Sequence, residues 1–522
     1  MKKNIIIKNA LISVSDKTKI IEFSKKLVKK NINLFTTSGT QKILKNAGIK
    51  STNISEYTNC PEMMSGRIKT LHHKIYAGVL ARFPSDQDIM NYYKIIKMDL
   101  VIVNFYPFLE VLRNKNSKFE DIIESIDIGG PAIVRAAAKN YLYTAVITQI
   151  NDYDHIIKEM NIKNEISYET RLKLANIAFK NIFLYDYDIS KFFSNSKNKE
   201  KNHISSSFPK YLNLTLKKKQ NLSYGENMHQ KAGLYVDLSD KNYNINQIQG
   251  KCLSYNNLSD FDIAVSCVQE FEQPACVIVK HGNPCGVAIS RNCYYAYLSA
   301  YKADSISAFG GVIAFNKIIT KKIAEIIINQ QFSELITAPK ITNSSLKIFS
   351  KKNNIRILKY PENYITKNKL NIKSINNYFL IQTNCINDIN QQEWKIVSKK
   401  LPTIREIQDA LFALKIVKYL KSNAIIYVKN LKVISIGAGQ PNRIDAIKIA
   451  ITKAHENKIC LKKSVLASDA FFPFKDSIEI ISKQNTSCII QPGGSIRDTE
   501  IIEEANKHNI SMIFTKTRYF KH

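Results

Sequence analysis

The sequence predicts an α/β protein whose first part is built on a parallel β-sheet. Over about the first 190 residues, short apolar segments alternate with helical patterns, which is typical of parallel strands joined by covering helices. The chain has 522 residues, of which 44% are hydrophobic. A chain of this length and composition is expected to bury large cores and to fold into two or more domains.

The strands and helices of the first part follow from the spacing of its apolar residues. Runs of apolar and β-branched residues predict strands at 5–15, 31–38, 99–107 and 143–149. Helices are predicted at 18–30 and 170–193, where apolar residues recur at intervals of three and four. Because strands and helices alternate, these strands are expected to lie parallel in one sheet.

A change of composition marks the expected domain boundary. From Ser194 the chain becomes polar and rich in Ser, Asn and Lys, so we predict a linker at 194–219 between domains at 1–193 and 220–522. The second region again mixes strands with helices, shows no repeat in its sequence, and has room for two subdomains. Its clearest strands are predicted at 275–281, 310–315, 423–429, 433–439, 488–494 and 510–515.

Composition also argues against a membrane protein and against a protein stabilised by disulfides. No apolar run approaches the about 18 to 20 residues of a membrane span, and the first residues lack the pattern of a signal peptide. We therefore expect a cytoplasmic protein with no membrane contact. The nine cysteines form no C-x-x-C pair and are expected to be reduced thiols.

The chain is strongly basic, with a net charge of +32 from 76 basic and 44 acidic residues. Such a charge also occurs in nucleic-acid-binding proteins. However, 65 of the basic residues are lysines and only 11 are arginines, and the lysines are dispersed through every segment. We predict no nucleic-acid partner, and the salt dependence of binding would test the alternative.

The most informative segment is PACVIVKHGNPCGVA at residues 274–288. Its apolar part predicts a buried strand at 275–279, followed by Lys280 and His281 and then by a loop at 282–286. A neighbouring lysine cation disfavours protonation of an imidazole, so His281 is expected to be neutral near pH 7 and able to accept a proton. The alternative is a surface Lys-His pair without a role.

Hydroxyl and lysine side chains follow the first two strands. Ser13, Ser15, Lys17 and Thr18 follow the first strand, and Thr36–Thr40 follow the second. At a helix start, free backbone amides beside such side chains can bind a phosphate. Each segment alone is more typical of an ordinary helix cap, but two at neighbouring strand ends favour a phosphate site.

Further polar residues of the first domain are of the kinds that transfer protons and stabilise an oxyanion. They are Arg67, Lys69, Thr70, Asn104, Tyr106, Asp127 and Lys139. Each also has a structural alternative: Asp127 could cap a helix before two glycines, and Lys139 could be a solvated helix residue. Together they predict a site for a phosphorylated small molecule.

The chain resembles the bifunctional purine-biosynthesis enzymes that join a formyltransferase to inosine monophosphate (IMP) cyclohydrolase. The resemblance spans the whole chain and is carried in order by strings that include ALISVSDKT, GRIKTLH, NFYPF, IDIGGPAIVRAAAKN, VKHGNPCG, IGAGQPNRID and SDAFFPFKD. It implies an α/β fold with an N-terminal methylglyoxal-synthase-like parallel-sheet domain. A larger C-terminal region of duplicated cytidine-deaminase-like α/β subdomains would follow, in an intertwined homodimer with transferase sites between subunits.

The resemblance also implies the chemistry. A formyl group would pass from 10-formyltetrahydrofolate, the co-substrate, to the 5-amino group of 5-aminoimidazole-4-carboxamide ribonucleotide (AICAR). The formylated AICAR would then close to IMP with loss of water. Neither step requires a metal, and whether a monovalent cation lies in the transferase region is left open.

Carried over residue by residue, the family's cyclohydrolase site falls on the first domain. Lys69, Tyr106, Asp127 and Lys139 would manage protons and the developing oxyanion, while positioning supplies much of the rate. The implied nucleotide contacts are Ser13, Ser15, Asp16, Lys17, Thr37, Ser38, Gly39, Thr40, Arg67, Thr70 and Asn104.

In the transferase, the resemblance makes His281 the base that removes the amine proton. Lys280 would polarise the formyl carbonyl or keep His281 neutral, and Asn423 would orient the formyl group. The implied nucleotide contacts are Tyr224, His229, Gly310, Glu334, Phe471 and Arg518, and the implied folate contacts are Arg443, Ile444, Asp476, Gly493 and Gly494. A core position for Phe471 and a rim salt bridge for each arginine are the structural alternatives.

One departure from the family leaves a second reading open. Relatives have an arginine where this chain has Ser223, so a phosphate-binding charge is missing unless Lys217–Lys219 supplies it. A protein with intact cyclohydrolase and impaired transferase is therefore an alternative. A zinc deaminase is a weaker one, because neither H-x-E nor P-C-x-x-C occurs in the sequence.

Overall fold

The computed structural model describes residues 3–160, 163–196, 208, 211–237, 245–362, 364, 370–385 and 389–522. The chain forms two compact units, residues 1–210 and 211–522. Their boundary falls inside the segment predicted as a linker, 194–219. The first three residues of that segment belong to helix Tyr168–Ser196. Residues 197–207, 209 and 210 lie outside the described residues. The last four, 216–219, begin the strand Leu216–Asn221.

A five-stranded sheet forms the centre of the first unit. The strands of this unit are β1 (Ile5–Ile6), β2 (Asn9–Val14), β3 (Asn33–Thr36), β4 (Thr52–Asn53), β5 (Leu100–Asn104), β6 (Ala145–Ile147) and β7 (Glu165–Ile166). The sheet has the order β4-β3-β2-β5-β6, and all its neighbouring strands are parallel, as predicted. The predicted first strand is divided, because β1 pairs separately with β7.

Helices cover both faces of this sheet, since successive residues of a strand point to opposite faces. In β2, Ile12 packs in one apolar cluster with Phe23, whereas Leu11 packs in a second cluster with Ile133. The helices are α1 (Ile20–Val28), α2 (Ser38–Asn46), α3 (Ile54–Thr58), α4 (His73–Leu80), α5 (Gln87–Tyr92), α6 (Phe108–Arg113), α7 (Phe119–Glu124), α8 (Gly129–Lys139), α9 (Tyr153–Glu159) and α10 (Tyr168–Ser196), with 3-10 turns at Met64–Gly66 and Ile150–Asp152.

The second unit contains two six-stranded sheets. Its strands are β8 (Leu216–Asn221), β9 (Gly233–Asp237), β10 (Asn246–Gln249), β11 (Ala275–Lys280), β12 (Asn283–Ile289), β13 (Val312–Phe315), β14 (Leu335–Ala338), β15 (Arg356–Lys359), β16 (Leu370–Ile375), β17 (Tyr378–Thr383), β18 (Lys395–Ile396), β19 (Ile425–Val428), β20 (Val433–Gly437), β21 (Val465–Ser468), β22 (Cys488–Gln491) and β23 (Ser511–Phe514). Strands β8 and β9 form one separate hairpin, and β16 and β17 form another.

The two large sheets repeat one topology. The first has the order β10-β15-β14-β13-β11-β12 and the second β18-β23-β22-β21-β19-β20, with parallel and antiparallel pairs in the same places. The hairpins β11–β12 and β19–β20 both contain a register shift. The duplicated α/β fold implied by the resemblance is therefore present, although no repeat is visible in the sequence.

The helices of the second unit complete the repeat. They are α11 (Tyr255–Val268), α12 (Cys293–Ala303), α13 (Ser305–Ala308), α14 (Lys321–Gln330), α15 (Asn343–Phe349), α16 (Ile404–Val417), α17 (Arg443–Glu456), α18 (Asp476–Ser482) and α19 (Asp498–Lys507), with a 3-10 turn at Gln391–Glu393. One core cluster joins the two halves, because it contains Val277 and Phe261 of the first half together with Ile426 and Phe412 of the second. Helices α11 and α16 lie in this shared core, each 14 residues long.

Each of the six strands predicted for the second unit contains an observed strand, whereas the loop predicted at 282–286 is wrong. Residues Asn283–Ile289 form β12, the antiparallel partner of β11. Proline is tolerated in this strand because β12 lies at the sheet edge and Pro284 adjoins the register shift. Only His281 and Gly282 remain as the turn of a tight hairpin.

Candidate functional site

Polar side chains from three strand ends meet at the carboxyl edge of the first unit's sheet. Asn104, at the end of β5, holds the segment after β2: its Oδ1 accepts hydrogen bonds from the backbone N–H groups of Ser15 (2.5 Å) and Asp16 (3.0 Å). The Thr37 hydroxyl, after β3, donates to the Ser13 hydroxyl at 3.4 Å. The two hydroxyl-rich segments that were predicted separately therefore lie side by side.

Two lysines give this edge the character of an anion site. The Lys17 ammonium donates to the Val14 carbonyl and, at 3.4 Å, to the Thr40 hydroxyl. Burial lowers the pKa of Lys17, the charge of Lys69 lowers it further, and Asp16 opposes both effects. Helix α2 also begins here, and a β-carbon at Gly39 in its first turn would meet open space. Such a set of donors suits a phosphate.

Lys69, Tyr106 and Asp127 form the part of the site that could move protons. The Lys69 ammonium donates to the Tyr106 hydroxyl at 3.4 Å. Asp127 precedes α8, and its Oδ1 accepts the N–H of Gly130 at 2.8 Å. Burial raises the pKa of Asp127, against the opposing effects of the Gly130 and Tyr106 backbone and of the Lys69 charge. Thus Asp127 both caps the helix, as one alternative proposed, and faces a lysine cation.

Other predicted residues of this unit have protein partners. Arg67 forms an ion pair with Glu124 at the surface. Thr70 is buried, and its hydroxyl lies 2.9 Å from the place of a β-carbon at Gly129. The Ser38 hydroxyl donates to Glu62 at 2.6 Å. Glu62 was not predicted, since nothing in the sequence marks it, and its carboxylate limits how Ser38 can bind an anion.

Within one chain, Lys139 and Asp127 lie at opposite ends of helix α8. It is the last residue of α8, whereas Asp127 lies just before its first residue. Ten residues of α-helix separate these ends by about 15 Å. Lys139 is exposed and lines a cavity of about 580 Å³ with apolar residues such as Leu172 and Phe179.

In the second unit, Lys280 and His281 lie at the tip of the β11–β12 hairpin. The Lys280 ammonium donates to the Phe309 carbonyl at 2.6 Å. His281 is exposed and has φ +53°, in the left-handed region. The Asp260 carboxylate accepts the backbone N–H of Gly282 at 2.7 Å and that of His281 at 3.2 Å. Asp260 lies on α11 and was not predicted, because 21 residues separate it from His281.

Lys421 connects this turn with Asn423. The backbone N–H of Lys421 donates to Asn283 Oδ1 at 2.9 Å, directly after the His281 turn. A β-carbon at Gly282 would lie 3.2 Å from Cε of Lys421. The predicted base and the predicted formyl-orienting amide are therefore on segments in direct contact, which the sequence could not show because they belong to different halves of the repeat.

Asn423 is held by a buried ion pair. The Arg443 guanidinium donates to Asn423 Oδ1 at 2.7 Å and to Asp469 Oδ1 at 2.6 Å. Arg443 and Asp469 side chains are 5% and 0% exposed. The Arg443 guanidinium thus binds groups of the protein itself, and its contact with folate stays a prediction. The salt bridge proposed as its alternative is present but buried, and Asp469 was missed.

Gly310 and Glu334 lie at the same edge of the first sheet as Lys280. Gly310 follows the residue whose carbonyl binds Lys280, and its N–H donates to the Phe332 carbonyl at 2.8 Å. Its φ of +74° is in the region that favours glycine. Glu334 accepts a hydrogen bond from the buried Arg356 at 2.6 Å, so its carboxylate is held in place before β14.

The segment that lacks the family's arginine precedes α11. The Ser223 hydroxyl donates to the Leu253 carbonyl at 3.1 Å, and the Tyr224 carbonyl accepts the N–H of Tyr255. His229 is exposed. Among the lysines that could supply the missing charge, Lys219 donates to a backbone carbonyl, that of Ile245, at 3.3 Å.

The remaining predicted contacts surround the carboxyl ends of β21 to β23. Phe471 is 38% exposed, whereas its neighbour Phe472 is fully buried, so the core position is taken by Phe472. Arg518 is exposed with its guanidinium 4.5 Å from the Phe520 ring. Ile444 and Asp476 lie in the first turns of α17 and α18, and Gly493 and Gly494 follow β22 with positive φ.

Comparisons with known proteins identify the relatives of this chain. A family model described as "AICARFT/IMPCHase bienzyme" matches residues 137–453, and one described as "MGS-like domain" matches residues 19–132. The bifunctional purine biosynthesis protein PurH of Buchnera aphidicola subsp. Baizongia pistaciae (strain Bp) is 55% identical, over 99% of each chain. PurH of Buchnera aphidicola subsp. Schizaphis graminum (strain Sg) is 50% identical over 100% of each. The crystal structure of ForH is 31% identical over 36% of this chain and 98% of that one, with a TM-score of 0.32.

Proposed function

The chain belongs to the AICARFT/IMPCHase bienzyme family, and on that premise we propose that its two units divide the two activities. It catalyses the last two steps of purine biosynthesis, formyl transfer to AICAR and closure of the formylated product to IMP. We assign ring closure to the first unit and formyl transfer, with 10-formyltetrahydrofolate as donor, to the second. The contact between the His281 turn and the Lys421–Asn423 segment is the observation that carries the transfer assignment.

Ring closure requires the carboxamide nitrogen to attack the formamide carbon of the same molecule, after which the formyl oxygen leaves as water. The phosphate of the substrate binds the amides and hydroxyls around Lys17 and Thr40. Lys69 and Tyr106 stabilise the oxyanion that forms on the attacked carbonyl. Asp127, whose pKa burial raises, exchanges the proton that moves from nitrogen to the departing oxygen.

Formyl transfer requires the 5-amino group of AICAR to attack the formyl carbon, while the folate N10 leaves with its electron pair. His281, whose ring is exposed at the hairpin tip, removes the proton from the attacking amine and passes it to the departing folate N10. Asn423 orients the formyl oxygen, and Arg443 holds Asn423. Lys280, bound to the Phe309 carbonyl, fixes the end of β11 and adds a positive charge beside the reacting groups.

A monovalent cation in the transferase region has a candidate ligand in Asp469. Asp469 Oδ2 is buried without a hydrogen-bond partner, although Oδ1 is paired with Arg443. A weakly hydrated monovalent ion bound there would balance this oxygen and stiffen the support of Asn423. No group of three or more His, Cys, Asp or Glu side chains in the described part of the chain could hold a metal ion.

The position of Lys139 supports assembly into a homodimer. Within one chain, Lys139 and Asp127 are separated by the length of α8, so a role for Lys139 in ring closure requires a second copy of the chain.

No helix among the described residues is long and apolar enough to cross a membrane. We place the protein in the cytoplasm, where the purine pathway operates.

The assignment of the two sites is tested by separate assays of a His281→Ala variant. Formyl transfer should fall by about 10²-fold or more, while closure of supplied formylated AICAR stays within about twofold. His455→Ala, which removes an exposed imidazole of α17 that contacts Gln484, is the matched control and should leave both rates unchanged. Unchanged transfer in His281→Ala would refute the role of the base, and equal loss of both activities would refute the division between units.

A further inference from the structure

We infer that Asp260 is a positioning residue for formyl transfer, holding the His281–Gly282 turn in the geometry that presents the imidazole. The inference rests on the proposed role of His281 as the base. Both oxygens of the Asp260 carboxylate are used: Oδ1 accepts the N–H of Gly282 at 2.7 Å, and Oδ2 accepts the N–H of His281 at 3.2 Å. Nothing in the resemblance assigns a role to Asp260.

The His281 turn needs such a support. His281 and Gly282 have φ of +53° and +77°, and left-handed backbone is uncommon for a residue with a side chain. The two N–H groups of the turn point towards α11, and a carboxylate there satisfies both. Because Asp260 lies on a helix in the core shared by the two halves, it fixes the tip of the hairpin relative to that core.

The second half of the unit contains the same kind of carboxylate-bound turn, but without a histidine. Asp409 is the sixth residue of α16, as Asp260 is of α11, and its carboxylate accepts the N–H groups of Asn430 (2.8 Å) and Leu431 (2.6 Å). Asn430 and Leu431 also have positive φ, 58° and 57°. The carboxylate-bound turn is thus a feature of the repeated fold, and only the first copy presents an imidazole on it.

Charged groups surround the His281 turn. They are Asp260 from α11, Lys280 from β11 and Lys421 from the segment before β19. Burial raises the pKa of Asp260, whereas the hydrogen bonds from the Gly282 and His281 backbone and the charges of His281 and Lys421 lower it. The two N–H groups and the neighbouring cations therefore stabilise the ionised carboxylate in its place beside the turn.

The test compares Asp260→Asn with Asp409→Asn in the full-length protein, with His281→Ala as reference. The amide keeps the size of the carboxylate but removes its charge and puts an NH₂ donor towards one N–H of the turn. In Asp260→Asn, kcat for transfer should fall by about 10- to 100-fold with little change in KM for AICAR. Ring closure should be unchanged. Asp409→Asn should retain both kcat and KM of transfer.

Hydrogen exchange over residues 275–289 and 425–437 monitors both hairpins, so that loss of a turn is measured directly in each variant. If His281→Ala retains transfer, the proposed base is wrong and the inference loses its premise. If His281→Ala is inactive but Asp260→Asn keeps the parental kcat, only the inference is overturned. Equal loss of kcat in both aspartate variants would also overturn it, because both carboxylates would then support the fold alone.

Discussion

Replacement of Arg443 by methionine tests whether this residue supports Asn423 or binds folate. The guanidinium joins Asp469, Ser468 and Asn423, and the Arg443 and Asp469 side chains are almost completely buried. Methionine keeps much of the volume but leaves the Asp469 carboxylate without its cation. Breaking a buried ion pair by removing one partner costs about 3–5 kcal/mol. We therefore expect Arg443→Met to lower the free energy of unfolding of the second unit by that amount.

Urea unfolding followed by far-UV circular dichroism measures this loss, and separate transfer assays give kcat and KM. Arg497→Met is the matched control, because Arg497 is exposed and stacks on Phe474 at 4.8 Å; its cost should be within about 0.5 kcal/mol. Adding Asp469→Asn to Arg443→Met removes the unpaired carboxylate and should recover part of the stability. Transfer should remain low in this double variant, because Asn423 has still lost its donor.

A different outcome would refute this reasoning about Arg443. If the guanidinium contacts folate, Arg443→Met should raise KM for 10-formyltetrahydrofolate while the unfolding midpoint stays within the range of the Arg497→Met control. A loss of stability with unchanged transfer kinetics would show that the ion pair does not position Asn423. Either result would remove Arg443 from the positioning of the formyl group.

Two further predictions concern the folate loop and the cyclohydrolase carboxyl. Gly493→Ala should destabilise the second unit by about 1–3 kcal/mol, because φ is +71° and a β-carbon would collide with the Phe514 ring. Gly494→Ala, at φ +97° with nothing within 4 Å of its β-carbon, should cost less, and equal urea midpoints would contradict the packing argument. Asp127→Asn should lower kcat of ring closure by about 10²- to 10⁴-fold without affecting transfer. Because burial raises the pKa of Asp127, the stabilising effect of its protonated form is complete below the unfolded pKa of about 3.9 and is lost as pH rises through the folded value. The stability of Asp127→Asn relative to the parent should therefore increase over that interval, and a difference independent of pH between about 4 and 7 would refute the assignment.

The sequence predicted the sheet of the first unit well because its strands are buried on both faces. Such strands are short, continuous apolar runs between polar residues, and the four predicted runs contain β2, β3, β5 and β6. Several strands of the second unit were missed, and the fully buried β14 and β21 are among them. The hairpin β16–β17 has mostly exposed residues, and β12 contains glycine, asparagine and proline that normally indicate a loop.

The candidate sites show a similar division. Residues that end strands, such as Ser15, Asn104 and His281, could be identified because their residue types stand out after an apolar run. Their supports could not: Asp260 lies 21 residues before His281, and Asp469 lies 46 residues after Asn423. An acidic residue on a helix has no local pattern that distinguishes a buried partner from a solvated one.

By itself, the sequence determined which segments fold as buried strands, which residue types can carry the chemistry, and the family to which the chain belongs. These properties follow from local periodicity, from side-chain chemistry and from strings of neighbouring residues. Only the tertiary structure decided that the second unit is a repeat, that Arg443 faces Asp469, and that Asp260 holds the His281 turn. Those relations depend on distances between segments far apart in the chain, and packing alone fixes such distances.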